Sequence, residues 1–507
     1  MPLCSFHPVR AYPDETDAGS GYDLERRDDL IMNRMYRKKS ILAAALAFLL
    51  SAGLLAGCSG ESSSPANANV ASASPSQVPL DEKAVTAAAN PEPPAGNEKS
   101  APLTEKQKLQ DFDYMYDVLK DNYPFFGVNK RLHGVDWLAN REEYRHWIKD
   151  TATDEEFAEE LEYILLKLNN GHTQMVGLQD YSYMKGIYET ASYFRPWLEQ
   201  MQKPAVLQRY GQENPRQQTH EGGTASEADS TNVLGKISRV NIRTQILEEG
   251  RTAYLGLPSF GMEYHDEPAI GEFLQKVKDY KTLIIDIRGN GGGSDAYWMD
   301  FVPMLISKPI SSNNYLLYRG GDYAEPFLKS RGMTDFNPIS LLKRQHLPNL
   351  PAEALTDFKN YQVETLKLSP TNSGGFTGKI YLLVDHVVYS SAEKFAAFAK
   401  STGFATLVGE RTGGDGLGMD PLVVALPNSG YVFRFSLQMG LNADGSCNDE
   451  VKTVPDYAAD PVKTKYLMDD PTVKKVLELA GSYLLKADRC IVRGKPSKFH
   501  VQHFYRS

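Results

Sequence analysis

Leu383-Val384-Asp385-His386-Val387-Val388-Tyr389-Ser390-Ser391-Ala392-Glu393-Lys394-Phe395-Ala396 is the stretch on which the reading of this chain turns. Residues 379–384 form an apolar run of β type, and Phe395 and Phe398 recur beyond the serines at helical spacing. The spacing predicts a strand-to-helix turn with a hydroxyl at its apex. Such a helix start aims its first N–H groups and positive dipole end at any anion forming beside it, the setting a nucleophilic serine requires. Ser390 or Ser391 would serve equally well as a plain helix cap. Both readings stay open on this stretch alone.

Working outward, a βαβ rhythm surrounds the turn. Residues 252–257 read as a strand, Ile270, Phe273, Leu274 and Val277 as a helix face, residues 282–287 as a buried parallel strand, and residues 297–306 as the next helix. A Pro- and Leu-containing insertion at 308–370 interrupts. The rhythm resumes with the strand before Ser390, a strand at 405–408, a hairpin-like pair around Asn428-Ser429-Gly430, and a last amphipathic helix through Val473, Val476 and Leu477. This alternation predicts an α/β fold. After the 282–287 strand comes Asp286-Ile287-Arg288-Gly289-Asn290-Gly291-Gly292-Gly293-Ser294. Glycines there free the backbone to turn N–H groups toward a ligand, as an anion nest or an oxyanion hole. The loop is no dinucleotide fingerprint, because Ser294 stands where the third glycine would be, and no Walker loop, because no Lys follows.

Upstream the pattern is helical. Leu109, Phe112, Tyr116 and Leu119 share one face, a capping box joins Thr153 to Glu156, and Phe157, Leu161, Ile164, Leu165 and Leu168 form a second apolar face. This region ends at Asn169-Asn170-Gly171-His172-Thr173. Residues 177–210 keep aromatics without a clean period, and 211–230 turn polar, leaving no clear PDZ module.

The 507 residues are 41% hydrophobic and 23% charged with a net charge of -9, a balance that argues against a nucleic-acid partner. Arg34, Arg37, Lys38 and Lys39 precede an apolar run at 41–50, followed by Leu54-Leu55-Ala56-Gly57-Cys58. That is the layout of a secretory signal, and its ending resembles the bacterial lipobox, which implies lipidation of Cys58 and an extracytoplasmic protein anchored to the cell membrane. Met32 or Met35 would give a signal of ordinary length, so residues 1–31 read as an over-extended frame. Residues 59–102 are rich in Ser, Ala, Asn and Pro, as a flexible tether is. Neither Cys447 nor Cys490 sits in a CxxC pair, and no metal site is expected.

Asp-Ile-Arg-Gly-Asn-Gly-Gly-Gly at 286–293, Tyr-Ser-Ser-Ala-Glu-Lys-Phe-Ala at 389–396, Val-Gly-Glu-Arg-Thr-Gly-Gly at 408–414 and Val-Pro-Asp at 454–456 occur in the order seen in the tail-specific (C-terminal processing) and tricorn-like serine peptidases. The chain resembles that family over about residues 103–480. The resemblance implies a ClpP/crotonase-like βαβ core with a small helical N-terminal domain, a peptide or protein substrate, and no cofactor. It makes Ser390, three before Glu393, the nucleophile. Ser391 would give its N–H to an oxyanion hole with Gly292 among Gly291 to Gly293. The base departs from the tail-specific pattern, since the loop from Arg411 to Gly416 has no Lys. The tricorn-like branch resembles a Ser-His-Glu arrangement, and His172 is the matching histidine, with His386 its competitor. The acid would be Glu450 or Asp449, which the sequence does not separate. The domains expected are 1–57 (signal and extended N-terminus), 58–102 (lipidated Cys and linker), 103–176 (helical), 177–250 (connecting), 251–480 (catalytic) and 481–507 (tail). The alternative is a binding protein for a hydrophobic ligand or peptide, as some relatives of this fold are.

Overall fold

Local sequence signals start the helices where the caps stand. The structure is a computed structural model that describes residues 101–211, 241–261, 265–371 and 375–481. The signal, Cys58, most of the tether, residues 212–240 with nearly all of the polar stretch, and the tail after Gly481 lie outside the described residues. The described residues from Leu103 to Gly481 fall in one compact unit. Thr104 caps Glu105–Asn122 reciprocally with Gln107. Thr153 accepts from the Glu156 N–H at 3.1 Å to start Asp154–Leu166. The expected box there is only half closed: the Glu156 carboxylate accepts from the Ala152 N–H at 2.7 Å instead, still satisfying a donor outside the helix ladder. Phe112, Met115 and Leu119 pack with Phe157, Leu161, Ile164 and Leu165, all fully buried.

The helical part continues through the stretch expected to be connecting. Leu178–Tyr188, Arg195–Met201 and Pro204–Gly211 are helices of eleven, seven and eight residues. Two or three turns are too few to display a repeating face, so aromatic packing carries them: Tyr181 stacks on Tyr210 at 4.3 Å, and Trp197 meets Phe327 edge-on at 4.8 Å.

In chain order the strands are β1 (Gln174–Met175), β2 (Arg243–Glu248), β3 (Thr252–Gly256), β4 (Thr282–Asp286), β5 (Ile310–Tyr318), β6 (Asn337–Pro338) and β7 (Asn360–Leu368). They continue with β8 (Lys379–Val384), β9 (Thr406–Gly409), β10 (Leu422–Ala425), β11 (Val432–Phe435), β12 (Met439–Leu441) and β13 (Tyr457–Ala458). The central sheet runs β13-β9-β8-β4-β3-β2, parallel throughout except for antiparallel β2 at one edge. Every residue of β3 and β4 is buried, as strands covered on both faces must be. Trp298 and Phe301 of Asp295–Leu305 meet Phe395 of Ser391–Thr402 on one face of the sheet. Gly256, Asp286 and Leu383 stand side by side in register, so the loops after β3, β4 and β8 leave from one end, where open α/β sheets place ligands.

The 308–370 insertion is not loop: β5 and β7 pair antiparallel over nine residues, with β12 and β6 flanking. Ser311, Ser312, Asn313 and Asn314 hide this strand from an apolar pattern. The expected hairpin is β10 and β11, and it belongs to a third sheet in which β11 also pairs with β1. That pairing draws the segment carrying His172 against the rest of the chain. The helices and these two sheets share one apolar core. Beneath the glycine loop, fully buried Arg288 pairs with Asp286 at 2.7 Å and Asp470 at 2.9 Å, and this charge-assisted clamp fixes the loop's base.

Candidate active site

Ser390 has φ 55° and ψ -128° and occupies the N-cap position of the helix Ser391–Thr402, with no capping hydrogen bond from its side chain. A side chain held at positive φ outside glycine costs on the order of 1–3 kcal/mol and persists only where its surroundings enforce it. The enforcement is visible. The Gly413 N–H donates to the Val388 carbonyl at 2.8 Å, and Tyr389 bridges to Gly414, so the loop after β9 is laid along the turn. From the other side comes Gly292, at φ 105°, where an added Cβ would stand 2.8 Å from the Ser390 Cβ and 2.9 Å from the Tyr389 carbonyl oxygen.

Ser390, Ser391, His172, Gly291 and Gly293 line one cavity of about 640 Å³. The Ser391 N–H opens its helix and so has no carbonyl one turn back. Gly292 does not fill the donor role read from the sequence, because its N–H is already given to Asn290 Oδ1 at 2.8 Å. Its place is close approach, while Gly291 and Gly293 on either side face the cavity.

The His172 Nδ1 lies 2.8 Å from Asp415 Oδ2. The same oxygen accepts from Ser436 Oγ at 2.6 Å, Asn170 Nδ2 at 2.8 Å and Tyr389 Oη at 3.3 Å. Tyr389 also accepts from the Gly171 N–H at 3.1 Å and packs its ring 4.8 Å from that of His172. The residue beside Ser390 therefore holds the turn that carries the histidine. Burial works to raise the Asp415 pKa, but the charge of His172 and the hydrogen bonds of His172, Ser436 and Asn170 hold it below the ordinary carboxylate range.

The two acids expected from the sequence part company. Asp449 and Glu450 are neighbours in the short helix Asn448–Val451, about 100° apart around its axis. Glu450 faces outward and takes Arg131 at 2.8 and 2.7 Å, so it is not the partner of His172. Asp449 faces inward beside Asn170 and Asp415. Burial and then the Asp415 charge push its pKa well above the ordinary value, the opposite direction from Asp415. His386 is exposed, bound to Glu410 at 2.8 Å, and is not among the residues lining the cavity. Asp415 does not stand out in the sequence, where the loop from Arg411 to Gly416 is marked chiefly by its lack of a lysine. The usable signal was an acid set between glycines just past a parallel strand.

Glu393, fully buried, accepts from Asn448 Nδ2 at 2.8 Å and Thr453 Oγ1 at 2.6 Å. Asn448 in turn accepts from the Gly416 N–H at 3.0 Å, which steadies the residue after Asp415.

Residues 251–459 match peptidase family S41, and residues 104–165 match the tricorn protease C1 domain. No curated protein sequence matches. Among solved structures, a Parabacteroides merdae protein is 20% identical, covering 74% of this chain and 96% of its own, with a TM-score of 0.48. Mature CPAF complexed with lactacystin is 14% identical over 77% and 98%, with a TM-score of 0.46. The photosystem II D1 C-terminal processing protease is 15% identical over 71% and 94%, at 0.36.

Burial pushes the Glu393 pKa up to about 7, against the hydrogen bonds of Thr412, Thr453 and Asn448. An unfolded glutamate loses its proton near pH ~4.3. Between there and about pH 7 the folded chain therefore holds a proton the unfolded chain lacks, and stability falls as pH rises through this window. The loss is about 3 kcal/mol between pH 5 and 8, at ~1.4 kcal/mol per pH unit. Glu393→Gln keeps an oxygen to accept from Asn448 and Thr453 and cannot ionise. Urea unfolding at the two pH values is expected to show the wild type losing that much against the variant; parallel pH dependence of the two proteins contradicts it.

Proposed function

We propose, from the match of residues 251–459 to peptidase family S41 and from the geometry of the cavity, that the chain hydrolyses peptide bonds with Ser390 as nucleophile, His172 as base and Asp415 as the acid that orients the histidine. One observation carries the reading: the strained Ser390 turn shares its cavity with a histidine whose Nδ1 is held by a buried, multiply hydrogen-bonded carboxylate.

With Asp415 accepting the Nδ1 proton, the His172 Nε2 carries a free lone pair. It takes the Ser390 hydroxyl proton as Oγ bonds to the substrate carbonyl carbon, then returns that proton to the departing amine. The acyl-enzyme is opened by water through the same base. The tetrahedral oxyanion is received by the Ser391 N–H, at the positive end of its helix, and by an N–H of the glycine turn at Gly291 or Gly293. Asp415 becomes a partner for the imidazolium that forms in the transition state.

A fluorophosphonate probe is expected to label the wild type and not Ser390→Ala. Asp415→Asn is expected to lower kcat on denatured casein by about 10³–10⁴-fold. Equal labelling of wild type and Ser390→Ala removes the nucleophile, and full activity in Asp415→Asn removes the acid.

The Leu-Ala-Gly-Cys ending before residue 59 supports a lipid anchor on Cys58 and action on the extracytoplasmic side of the cell membrane. Metabolic labelling with palmitate should mark the wild type in the membrane fraction and leave Cys58→Ser unlabelled; label retained in Cys58→Ser rules this site out.

A further inference from the structure

The cavity that holds Ser390 extends well past the catalytic groups. Its far wall is apolar and aromatic, with Tyr188, Tyr193, Phe194, Ile187 and Met419 among its lining. Five charged residues besides His172 face it: Asp295, Arg331, Asp415, Asp420 and Arg434. Four of them have partners. Asp415 holds His172, Asp295 pairs with buried Lys394 at 2.9 Å, and Arg331 pairs with Asp420 at 2.6 Å. Arg434 makes no ion pair or hydrogen bond through its side chain among the described residues, and its Nε is enclosed without a partner. A guanidinium presents five donors in a planar fork and cannot shed its charge. Leaving it half-buried and unpaired is costly unless an anion completes it.

Its position says which anion. Arg434 lies on β11, opposite Gln174 of β1. Two residues on, Ser436 touches both His172, at 3.3 Å, and Asp415. Side chains two apart on an extended strand share a face and stand about 7 Å apart. Arg434 thus sits roughly two extended residues along from the catalytic histidine, inside the same cavity. The aromatic wall beside it suits a peptide side chain, and every carboxylate of the protein within the cavity is already occupied.

We infer that Arg434 receives a carboxylate of the substrate, so that the cavity selects peptides bearing an acidic side chain or a free C-terminus near the scissile bond. This deepens the peptidase reading and rests on it for the identity of the ligand as a peptide. Both sources present the same fork-shaped acceptor to the guanidinium.

The test uses the full chain carrying Ser390→Ala, which holds peptide without cleaving it. Fluorescent peptides are prepared with Glu or Gln scanned through each position, each as free acid and as amide, and binding is read by anisotropy. At one position Glu should bind about tenfold or more tightly than Gln, or the free acid than the amide, as a charged hydrogen-bonded pair provides. The arm that responds identifies the source. Adding Arg434→Gln should erase the preference, and Arg434→Glu should reverse it toward Lys; circular dichroism melting checks that each variant is folded. Should Arg434→Gln not fold, Arg434→Lys carries the test, with a reduced but surviving preference. Peptides that do not bind, no preference at any position, or a preference unchanged in Arg434→Gln each overturn the inference. Fluorophosphonate labelling of the wild type separates the two readings. A labelled serine without carboxylate preference leaves the peptidase and removes the role of Arg434; a carboxylate preference without labelling supports Arg434 and removes the nucleophile.

Discussion

A single carboxylate oxygen, Asp415 Oδ2, gathers donors from three distant parts of the chain. Asn170 and His172 come from the turn after the helix Asp154–Leu166, Tyr389 from the residue before the candidate nucleophile, and Ser436 from the end of β11. Hydrogen bonds to a charged acceptor contribute about 1.5–3 kcal/mol each when formed, and leaving such a buried charge short of them costs more than any one contributes. The ionised carboxylate is therefore the point on which the helical part, the central sheet and the β10–β11 hairpin agree. Its position on a loop at φ 46° between Gly414 and Gly416 follows from that convergence.

The strain at Ser390 belongs to the same arrangement. Its turn is gripped by the loop after β9 on one side and by Gly292 on the other, and Tyr389 ties it to Gly171. Three loops that leave the sheet at one end thus determine one side-chain direction. Their bases are in turn fixed by buried polar groups, Arg288 beneath the glycine loop and Glu393 beneath the loop of Asp415. Precision at the cavity comes from charged and hydrogen-bonded groups set in an apolar core, and not from apolar packing alone.

Much of this was legible in the sequence, and the rest was hidden for physical reasons. The βαβ rhythm showed because β3, β4 and β8 are buried on both faces and read as continuous apolar runs, and the serine turn showed because a strand period gives way there to a helical one. β5 was hidden by its run of Ser and Asn, and the short helices after residue 177 by having too few turns to repeat. The carboxylate beside His172 was hidden because chain proximity to Val-Pro-Asp says nothing about which way a four-residue helix turns: Glu450 goes out to Arg131 and Asp449 goes in beside Asn170. Asp415 required knowing that the β9 loop folds over Tyr389, a contact between residues 26 apart that no local period encodes. Gly292 was placed in the right loop, but its N–H had been taken by Asn290, a side chain two residues back.

The most direct measurement of the central claim is the rate at which a fluorophosphonate reacts with Ser390 in four proteins: wild type, His172→Ala, Asp415→Asn and the double variant. If Asp415 acts only by orienting His172, the two residues work as one unit, and their effects must not multiply. The double variant is expected to react as slowly as His172→Ala alone. A double variant slower by the product of the two single effects would contradict it, because Asp415 would then act on Ser390 by a route that does not pass through the histidine.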